Sequence, residues 1–237
     1  MTNEILLIIS IFLIYGGIIV LYALFDEIGL YGFTIVATIT ANIEVLIMVK
    51  AFGMEQTLGN VLFASTFLVT DILSEIKGKK EAQKAVNIGI AVSVLFILIS
   101  QTWMFYVPSG KDWAMPAIKT IFSKTARMMI VGIVTYAIVQ RFDVWAYHKW
   151  WTLTERMTNS HDRFLWLRNN GSTLVSQLMN AILFTWGAFY GTYDFETLCS
   201  IAVASYIIFI VTSLVDTPFV YLARWISRRK AKKVISA

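Results

Sequence analysis

The sequence predicts an all-α polytopic membrane protein of about seven transmembrane helices, with its N-terminus outside and its C-terminus inside the cell. Three observations support this fold class. Of the 237 residues, 57% are hydrophobic and only 15% are charged, whereas soluble proteins carry about 25% charged residues. The apolar residues form segments of the roughly 20 residues that cross a hydrocarbon layer about 30 Å thick. Lysines and arginines are concentrated after every second segment, as in cytoplasmic connections.

Seven segments are predicted to cross the membrane as helices, because backbone groups in lipid must find hydrogen-bond partners within their own segment. They are 5–25, 30–49, 59–76, 85–107, 117–140, 172–193 and 198–225. The first segment has no basic region before it and no small-residue cleavage site, so we expect a retained helix rather than a signal peptide. The whole chain, 1–237, is predicted to be one membrane domain.

The orientation follows from the basic residues, most of which lie after the third, fifth and seventh segments. The connection 141–171 mixes aromatic and charged residues, which predicts a cytoplasmic segment at the membrane interface. The end of the chain, 226–237, is predicted to be a basic cytoplasmic tail. The net charge of +5 is thus explained by topology and by attraction to anionic lipid, and no nucleic-acid partner is expected.

The third segment contains two acidic residues, Asp71 and Glu75, which share one side of a helix because they are four residues apart. A charge near the bilayer centre costs at least about 2.5 kcal/mol, so these carboxylates need a partner, water or a ligand. Glu75 is close to Lys77 and the predicted cytoplasmic surface, so solvation is an equally good interpretation for it. Asp71 lies deeper and favours a partner or a ligand.

The sixth segment has a polar stripe made by Thr173, Ser176, Gln177 and Asn180. Such stripes often only join helices to each other, through contacts worth about 0.6–2 kcal/mol. Measured from the predicted cytoplasmic end, Asn180 and Asp71 reach similar depths. We therefore expect that they could face one cavity.

Other polar residues lie within the second, fifth and seventh segments. Glu44, with Asn42 nearby, is at a depth that matches Arg127, so a structural ion pair and a substrate contact are both open interpretations. Asp216 precedes Pro218 at about the depth of Asp71.

Tyr136, Gln140 and Asp143 share a face of the fifth segment that lies almost opposite Arg127, at about 100° per residue. Asp143 is near the cytoplasmic end of this segment, which favours solvation or a bond to Arg141. The polar residues of the fifth segment are therefore not expected to line one pocket together.

No metal or cofactor site is expected. The single cysteine, Cys199, lies in an apolar run and cannot form an intramolecular disulfide. The two histidines, His148 and His161, lie in a polar connection, and no zinc-ligand spacing is present.

The stretch "FLVTDILSEIKGKKEA" resembles the signature of the queuosine precursor transporter family, also called vitamin uptake transporters. That signature has an apolar run ending in Asp, a Glu four residues later and then Tyr-Gly-Lys. The likeness spans roughly 42–223 and includes "ANIEV", "WLRNNGSTLVSQLMNAILF", "DTPFVYLA" and the intervals between Arg127, Tyr136, Gln140 and Asp143. The chain departs from the pattern at Lys77, at Gly132, where the family often has Ser, and at Asn180, where it usually has Asp.

The resemblance implies import of a 7-deazaguanine base across a bacterial plasma (inner) membrane, by alternating access around a site near the midplane. The family's substrates are 7-cyano-7-deazaguanine, 7-aminomethyl-7-deazaguanine and queuine. A carboxylate can accept the two donors of a guanine-like edge, and an amide or a guanidinium can donate to its oxygen. The implied substrate-binding residues are Asn42, Glu44, Phe67, Asp71, Glu75, Arg127, Gln177 and Asn180. Gln140, Asp143 and Asp216 are implied candidates for gating or coupling.

Other protein classes fit parts of the sequence. A substrate-binding subunit of an energy-coupling-factor ABC vitamin importer would have a similar size, and Ala37 and Ala41 give the small-residue spacing through which such subunits dock. An intramembrane enzyme is not expected, since no metal motif or nucleophile accompanies the aspartates. An ion channel is not expected either, because no filter motif is visible. The expected partners are a nucleobase and the lipid bilayer, and a homo-oligomer is compatible with the sequence.

Overall fold

The computed structural model describes residues 2–124, 126–158 and 164–235, and most of them are helical. The α-helices are α1 Asn3–Glu44, α2 Gly59–Ile76, α3 Lys79–Thr102, α4 Met115–Lys124, α5 Ala126–Thr158, α6 Leu165–Phe189 and α7 Phe195–Ile235. Two short strands, β1 Met48–Ala51 and β2 Met54–Thr57, form an antiparallel hairpin, and a 3-10 helix spans Trp103–Phe105. The chain is therefore an all-α polytopic membrane protein with a small hairpin added.

Five helical segments in the described residues are long and apolar enough to cross a membrane. They are Asn3–Glu44, Gly59–Ile76, Lys79–Phe105, Arg127–Met157 and Phe195–Lys232. The 25-residue helix α6 is not among them, since its polar stripe lowers its apolar content. Large apolar side chains such as Leu13, Leu24 and Ile28 are 67–73% exposed, as expected of surfaces that face lipid. The number of crossings and their orientation stay predictions.

The first two predicted segments, 5–25 and 30–49, correspond to the two parts of α1, which is interrupted at Asp26 with φ 52° and ψ −137°. The second part ends at Glu44, so the prediction that it continues to Val49 is wrong. Residues 48–57 instead form the hairpin, whose register pairs Ala51 with Met54 across a two-residue loop. Phe52 and Gly53 both have positive φ, as the mirror-image turns of short hairpins require.

The segment 141–171, predicted as a cytoplasmic loop at the membrane interface, is helical for most of its length, because α5 continues to Thr158 and α6 begins at Leu165. Its location at the cytoplasmic interface stays a prediction. Part of α5 in this region is buried within the bundle, and Tyr147 is 0% exposed. The fifth predicted segment, 117–140, is divided between α4 and α5. The predicted tail, 226–237, continues α7 as far as Ile235. His161 and Arg163, which the prediction placed in the connection, lie outside the described residues.

Helix α2 is the central helix of the bundle. It packs against α1, α3, α5 and α7, and 83% of its residues are buried. Its mean hydropathy of 1.2 is the lowest of the five segments, whereas that of the lipid-facing α1 is 2.8. Polar residues are tolerated within a membrane helix when they face other helices or a cavity. The position of α2 therefore decides where the polar site can form.

Two ends of the bundle can be distinguished by contacts. At one, the hairpin end, α2 begins beside β1 and β2. At the other, the Lys77 end, Lys77 Nζ lies 2.7 Å from Glu27 Oε2, and Lys230 Nζ lies 2.7 Å from Asp26 Oδ1. The connection after α2 and the end of α7 thus meet at the break in α1, which agrees with placing their basic residues on one side.

We expect single cysteines to report the predicted orientation when membrane-impermeant reagents are applied to intact cells, in a Cys199→Ala background. Position 111 should react from outside, whereas positions 79 and 232 should react only after the membrane is opened, because basic connections stay in the cytoplasm. The three native lysines are all exposed in the structure, so access within the protein does not differ among them. Labelling of positions 79 and 232 but not 111 in intact cells would reverse the orientation.

Candidate functional site

The polar residues of α2 lie at three levels between the hairpin end and the Lys77 end. Asn60 and Thr66 border a cavity, Thr70 and Asp71 lie in the next part of the helix, and Glu75 is close to its end. At a rise of 1.5 Å per residue, Glu75 is about 22 Å along the helix from Asn60. The three levels are therefore separate sites with separate partners.

The cavity, called the cleft below, lies between α1, α2, α3, α5 and α6 toward the hairpin end. The centre of a water-sized molecule can occupy about 70 Å³ of it. Its walls carry the rings of Phe63 and Phe184 and a set of uncharged polar side chains. These include Asn42, Asn60, Ser93, Tyr136 and Asn180.

Three of these polar groups have no hydrogen-bond partner among the described residues. The hydroxyl of Tyr136 is buried and unpaired. The amide of Asn180 and the hydroxyl of Ser93 also make no side-chain hydrogen bond in the described part of the chain, although these residues are only 6% and 4% exposed. Buried polar groups in native proteins are nearly always paired, so unpaired groups on a cavity wall indicate a ligand or water.

Gln140 forms a bridge below the cleft. Its Nε2 donates to Thr66 Oγ1 at 2.6 Å, and its Oε1 accepts from Thr70 Oγ1 at 3.3 Å. Gln140 is fully buried, and Thr66 is also part of the cleft wall. This bridge joins α2 to α5 and separates the cleft from the aspartates beyond it.

Three buried aspartates, Asp71, Asp143 and Asp216, form the next level, called the carboxylate layer below. Each is at most 1% exposed. Asp71 Oδ2 accepts from Thr173 Oγ1 at 3.3 Å, and Asp143 Oδ1 accepts from Ser176 Oγ at 2.7 Å. The other carboxylate oxygen of Asp71 and of Asp143 has no partner among the described residues.

Asp216 accepts from Asn169 Nδ2 at 2.7 Å, which joins α7 to α6. Within the described residues, no lysine or arginine forms an ion pair with any member of the carboxylate layer. The described residues also contain no cluster of His, Cys, Asp and Glu with the geometry of a metal site. The layer is therefore held by neutral donors.

The structure corrects the interpretation of Asp143 as a solvated residue or a partner of Arg141. Asp143 is 0% exposed and contacts Ser176, while Arg141 Nη2 donates to Asn87 Oδ1 at 3.2 Å. Because α5 continues well beyond the predicted end of the membrane segment, position 143 is inside the bundle rather than at its surface.

Glu75 is held in a buried ion pair. Arg168 Nη2 lies 2.7 Å from Glu75 Oε1 and 2.6 Å from Oε2, and Arg168 Nε donates to Oε2 at 3.0 Å. The side chains of Arg168 and Glu75 are 0% and 2% exposed. The interpretation of Glu75 as a solvated residue is therefore wrong.

Three further side chains complete what we call the Glu75 cluster. Tyr147 donates its hydroxyl to Glu75 Oε2 at 2.9 Å, and Arg224 Nε lies 3.3 Å from Oε1. The guanidinium of Arg168 lies 4.3 Å from the ring centre of Trp151. The cluster joins α2, α5, α6 and α7 at the Lys77 end, and it occupies both oxygens of Glu75.

Of the residues predicted to bind substrate, Asn42 and Asn180 lie on the cleft wall. Glu75 and Asp71 lie beyond the Gln140 bridge. The ring of Phe67 is fully buried and packs against Phe63 at a centroid distance of 5.5 Å. Gln177 is buried, and its Oε1 has no partner in the described residues.

The ion pair between Glu44 and Arg127, one of the two interpretations left open by the sequence, is not found in the described part of the chain. Arg127 is exposed, and its Nε donates to the carbonyl oxygen of Gly187 at 3.0 Å. Glu44 is half-buried at the end of α1 and does not line the cleft. Their matching depth did not bring them together, because α1 ends at Glu44 and the chain turns into the hairpin.

Sequence reasoning missed Arg168 and Ser93. Arg168 was counted among the basic residues of a cytoplasmic connection, although it precedes Ser172 and Ser176 at four-residue intervals on α6 and so extends the polar stripe. Ser93 follows Gly89 by four residues on α3, and a Cβ at position 89 would overlap with the hydroxyl of Tyr136. That spacing of small residues was the available signal.

Comparison with known proteins places the chain among transporters. Residues 57–223 match a family model described as "Putative vitamin uptake transporter". A relative from Bacillus subtilis (strain 168), named "Probable queuosine precursor transporter", is 36% identical over 207 residues, which is 87% of this chain and 88% of the relative. No solved structure gives a match. The matched range includes α2, the carboxylate layer and most of the cleft wall.

We expect Glu75→Gln to lower the melting temperature of the purified protein, because it removes the carboxylate that pairs with the buried cation of Arg168. Breaking a buried pair on one side typically costs about 3–5 kcal/mol. Thermal unfolding in detergent, followed by loss of the monodisperse peak, measures the effect. A double variant, Glu75→Gln with Arg168→Gln, should recover part of the loss, since neither charge is then stranded.

Asp71→Asn is the matched control, since Asp71 is equally buried but has no cationic partner. Asp71→Asn should leave the melting temperature nearly unchanged, because no buried cation loses a partner and the desolvation cost of the carboxylate is removed. Equal losses in both variants would contradict the distinction between the Glu75 cluster and the carboxylate layer.

Proposed function

We propose, since this chain belongs to the vitamin uptake transporter family, that it imports a queuosine precursor across a bacterial plasma membrane. The substrate would be a 7-deazaguanine base, and transport would proceed by alternating access. The observation that carries the proposal is the cleft, a cavity inside the helix bundle with aromatic rings and unpaired polar groups on its walls.

The cleft chemistry suits a flat nitrogen heterocycle. A guanine-like edge presents two donors and one acceptor, and the amide of Asn180 and the hydroxyls of Ser93 and Tyr136 together offer donors and acceptors. Phe63 and Phe184 offer apolar ring surfaces against which a planar ring can pack. A small polar ligand would thus satisfy groups that have no protein partner.

Alternating access requires one end of the route to be closed while the other is open. In this structure the cleft lies toward the hairpin end, and the Glu75 cluster joins four helices at the Lys77 end. We assign the Glu75 cluster to closure of that end. Opening of the Lys77 end would require α6 and α7 to move away from α2. This movement would separate Arg168 and Arg224 from Glu75.

The carboxylate layer lies between the cleft and the Glu75 cluster, so a substrate that crosses the bundle along α2 would pass it. Asp71 and Asp143 each keep one unpaired oxygen there. We propose that these oxygens contact the substrate or a coupling ion after the Gln140 bridge opens, and that Asp216 contributes to the same step. This role agrees with the sequence-based assignment of Gln140, Asp143 and Asp216 to gating or coupling.

The energy-coupling-factor alternative gains no support from the family match or from the name of the relative. The two mechanisms differ in one measurable respect. A self-sufficient carrier transports substrate when it is the only protein in a liposome, whereas a substrate-binding subunit needs its scaffold and ATPase.

We expect cells that can neither synthesise nor import queuosine precursors to acquire queuosine in tRNA when they express this chain and receive a deazaguanine base. Mass spectrometry of digested tRNA measures the modification. A Glu75→Gln, Arg168→Gln chain, expressed to the same level, tests the Glu75 cluster, since a carrier that cannot close should import less. Unmodified tRNA with every candidate base, despite verified membrane expression and an intact downstream pathway, would exclude the proposed substrate class.

A further inference from the structure

We infer that the cleft selects a 7-deazaguanine whose substituent at position 7 is uncharged. The inference rests on the proposed function and narrows it, because queuosine precursors differ in charge at this position. The base with a nitrile is neutral, whereas the aminomethyl base and queuine carry amines. Alkyl amines have a pKa of about 10 and are therefore cationic at neutral pH.

The first argument is the charge of the cleft. Among the described residues that line it, none is acidic or basic. The nearest acidic residues along the chain are not part of its wall: Glu44 stands between the lining residues Asn42 and Val45 without lining the cleft itself, and Asp71 lies beyond the Gln140 bridge. An ammonium group in the cleft would find only neutral acceptors.

The neutral cleft weakens the binding of the charged ligand only, because only that ligand loses the hydration of an ammonium group. An ammonium that leaves water needs a carboxylate or a comparable set of acceptors, and otherwise its desolvation is not compensated. A nitrile or a hydroxymethyl group loses much less hydration on the same transfer. The two kinds of base share one ring system, so the difference in binding isolates the charge at position 7.

The second argument is that the unpaired groups of the cleft are themselves neutral and are held in place. The ring of Tyr136 makes an edge contact with Phe63 at a centroid distance of 6.0 Å and an angle of 81°. On its other side, Gly89 leaves room for the hydroxyl that a larger residue would fill. The Tyr136 hydroxyl is therefore a fixed donor and acceptor for an uncharged edge.

Asn180 and Ser93 approach the cleft from two other helices, α6 and α3. Together with Tyr136 on α5, they surround the cavity with neutral hydrogen-bonding groups, while Phe63 and Phe184 supply the ring surfaces. We assign recognition of the base to Ser93, Tyr136 and Asn180. Charge is absent from this set and is concentrated instead in the carboxylate layer and the Glu75 cluster.

The test compares ligands that differ in charge but hardly in shape. Dissociation constants of the purified full-length protein are measured for the 7-cyano, 7-hydroxymethyl and 7-aminomethyl bases at neutral pH. We expect the hydroxymethyl base to bind at least about tenfold more tightly than the aminomethyl base, because only the latter brings an uncompensated charge. Equal or tighter binding of the aminomethyl base would overturn the inference and leave the proposed function standing. If none of the bases binds, both the inference and the proposed function are wrong.

A variant that supplies the missing charge makes the test sharper. Asn180→Asp places a carboxylate in the cleft, so the ratio of aminomethyl to hydroxymethyl affinity should rise at least about tenfold. Asn42→Asp is a second variant of the same kind if Asn180→Asp does not fold. Asn87→Asp is the matched control, since it adds the same charge on the exposed surface of α3 beside Arg141.

The control should leave the ratio unchanged, and an equal rise in Asn87→Asp would show long-range attraction rather than contact in the cleft. Tyr136→Phe should weaken the binding of the cyano and hydroxymethyl bases by about threefold to tenfold, as loss of one neutral hydrogen bond predicts. Unchanged affinity in Tyr136→Phe together with an unchanged ratio in Asn180→Asp would show that the base does not bind in this cleft.

Discussion

The buried ion pair between Glu75 and Arg168 determines how four helices meet at the Lys77 end. Both charges are almost completely removed from solvent, and the pair is tolerable only because Tyr147, Arg224 and the ring of Trp151 add further contacts. Glu75 belongs to α2, the helix that every other part of the site contacts. The pair thus holds the Lys77 end of α2, about 22 Å along the helix from the cleft residue Asn60.

A single polar helix inside the bundle also explains why three different environments can coexist along α2. Near the hairpin end its neighbours leave a cavity with neutral walls, in the middle a hydroxyl donates to Asp71, and near Lys77 they supply guanidinium groups. At the two ends of α2, the environment matches the charge that it encloses. The carboxylate layer is the exception, since its aspartates have neutral partners only, and a group in that condition is poised to take up a ligand or an ion.

The sequence predicted the helical membrane class, the burial of Asp71 and the polar stripe on α6, because apolar segment length and helical spacing determine them directly. It did not predict partners. Helical periodicity places Glu75 on a face of α2, but only the packing of α6 brings Arg168 to it, and a basic residue outside an apolar segment was taken as a topology signal. The same limit applies to the hairpin and to the extension of α5, because the ends of the apolar segments do not coincide with the ends of the helices there.

Charged and neutral groups lie in separate parts of this protein, and two of the three departures from the family pattern lie among the neutral groups. Asp71, Glu75 and Asp143 keep the spacing that the family signature shows, and all three lie in the carboxylate layer or the Glu75 cluster. Gly132 and Asn180 depart from the pattern and line the cleft, whereas the third departure, Lys77, lies at the other end of α2 and pairs with Glu27. A carrier can change its ligand without rebuilding the contacts that hold its helices together only if these two sets of residues are distinct. The Gln140 bridge between α2 and α5 is the boundary between them, since the cleft wall ends at Thr66 on one side of it and the buried aspartates begin on the other.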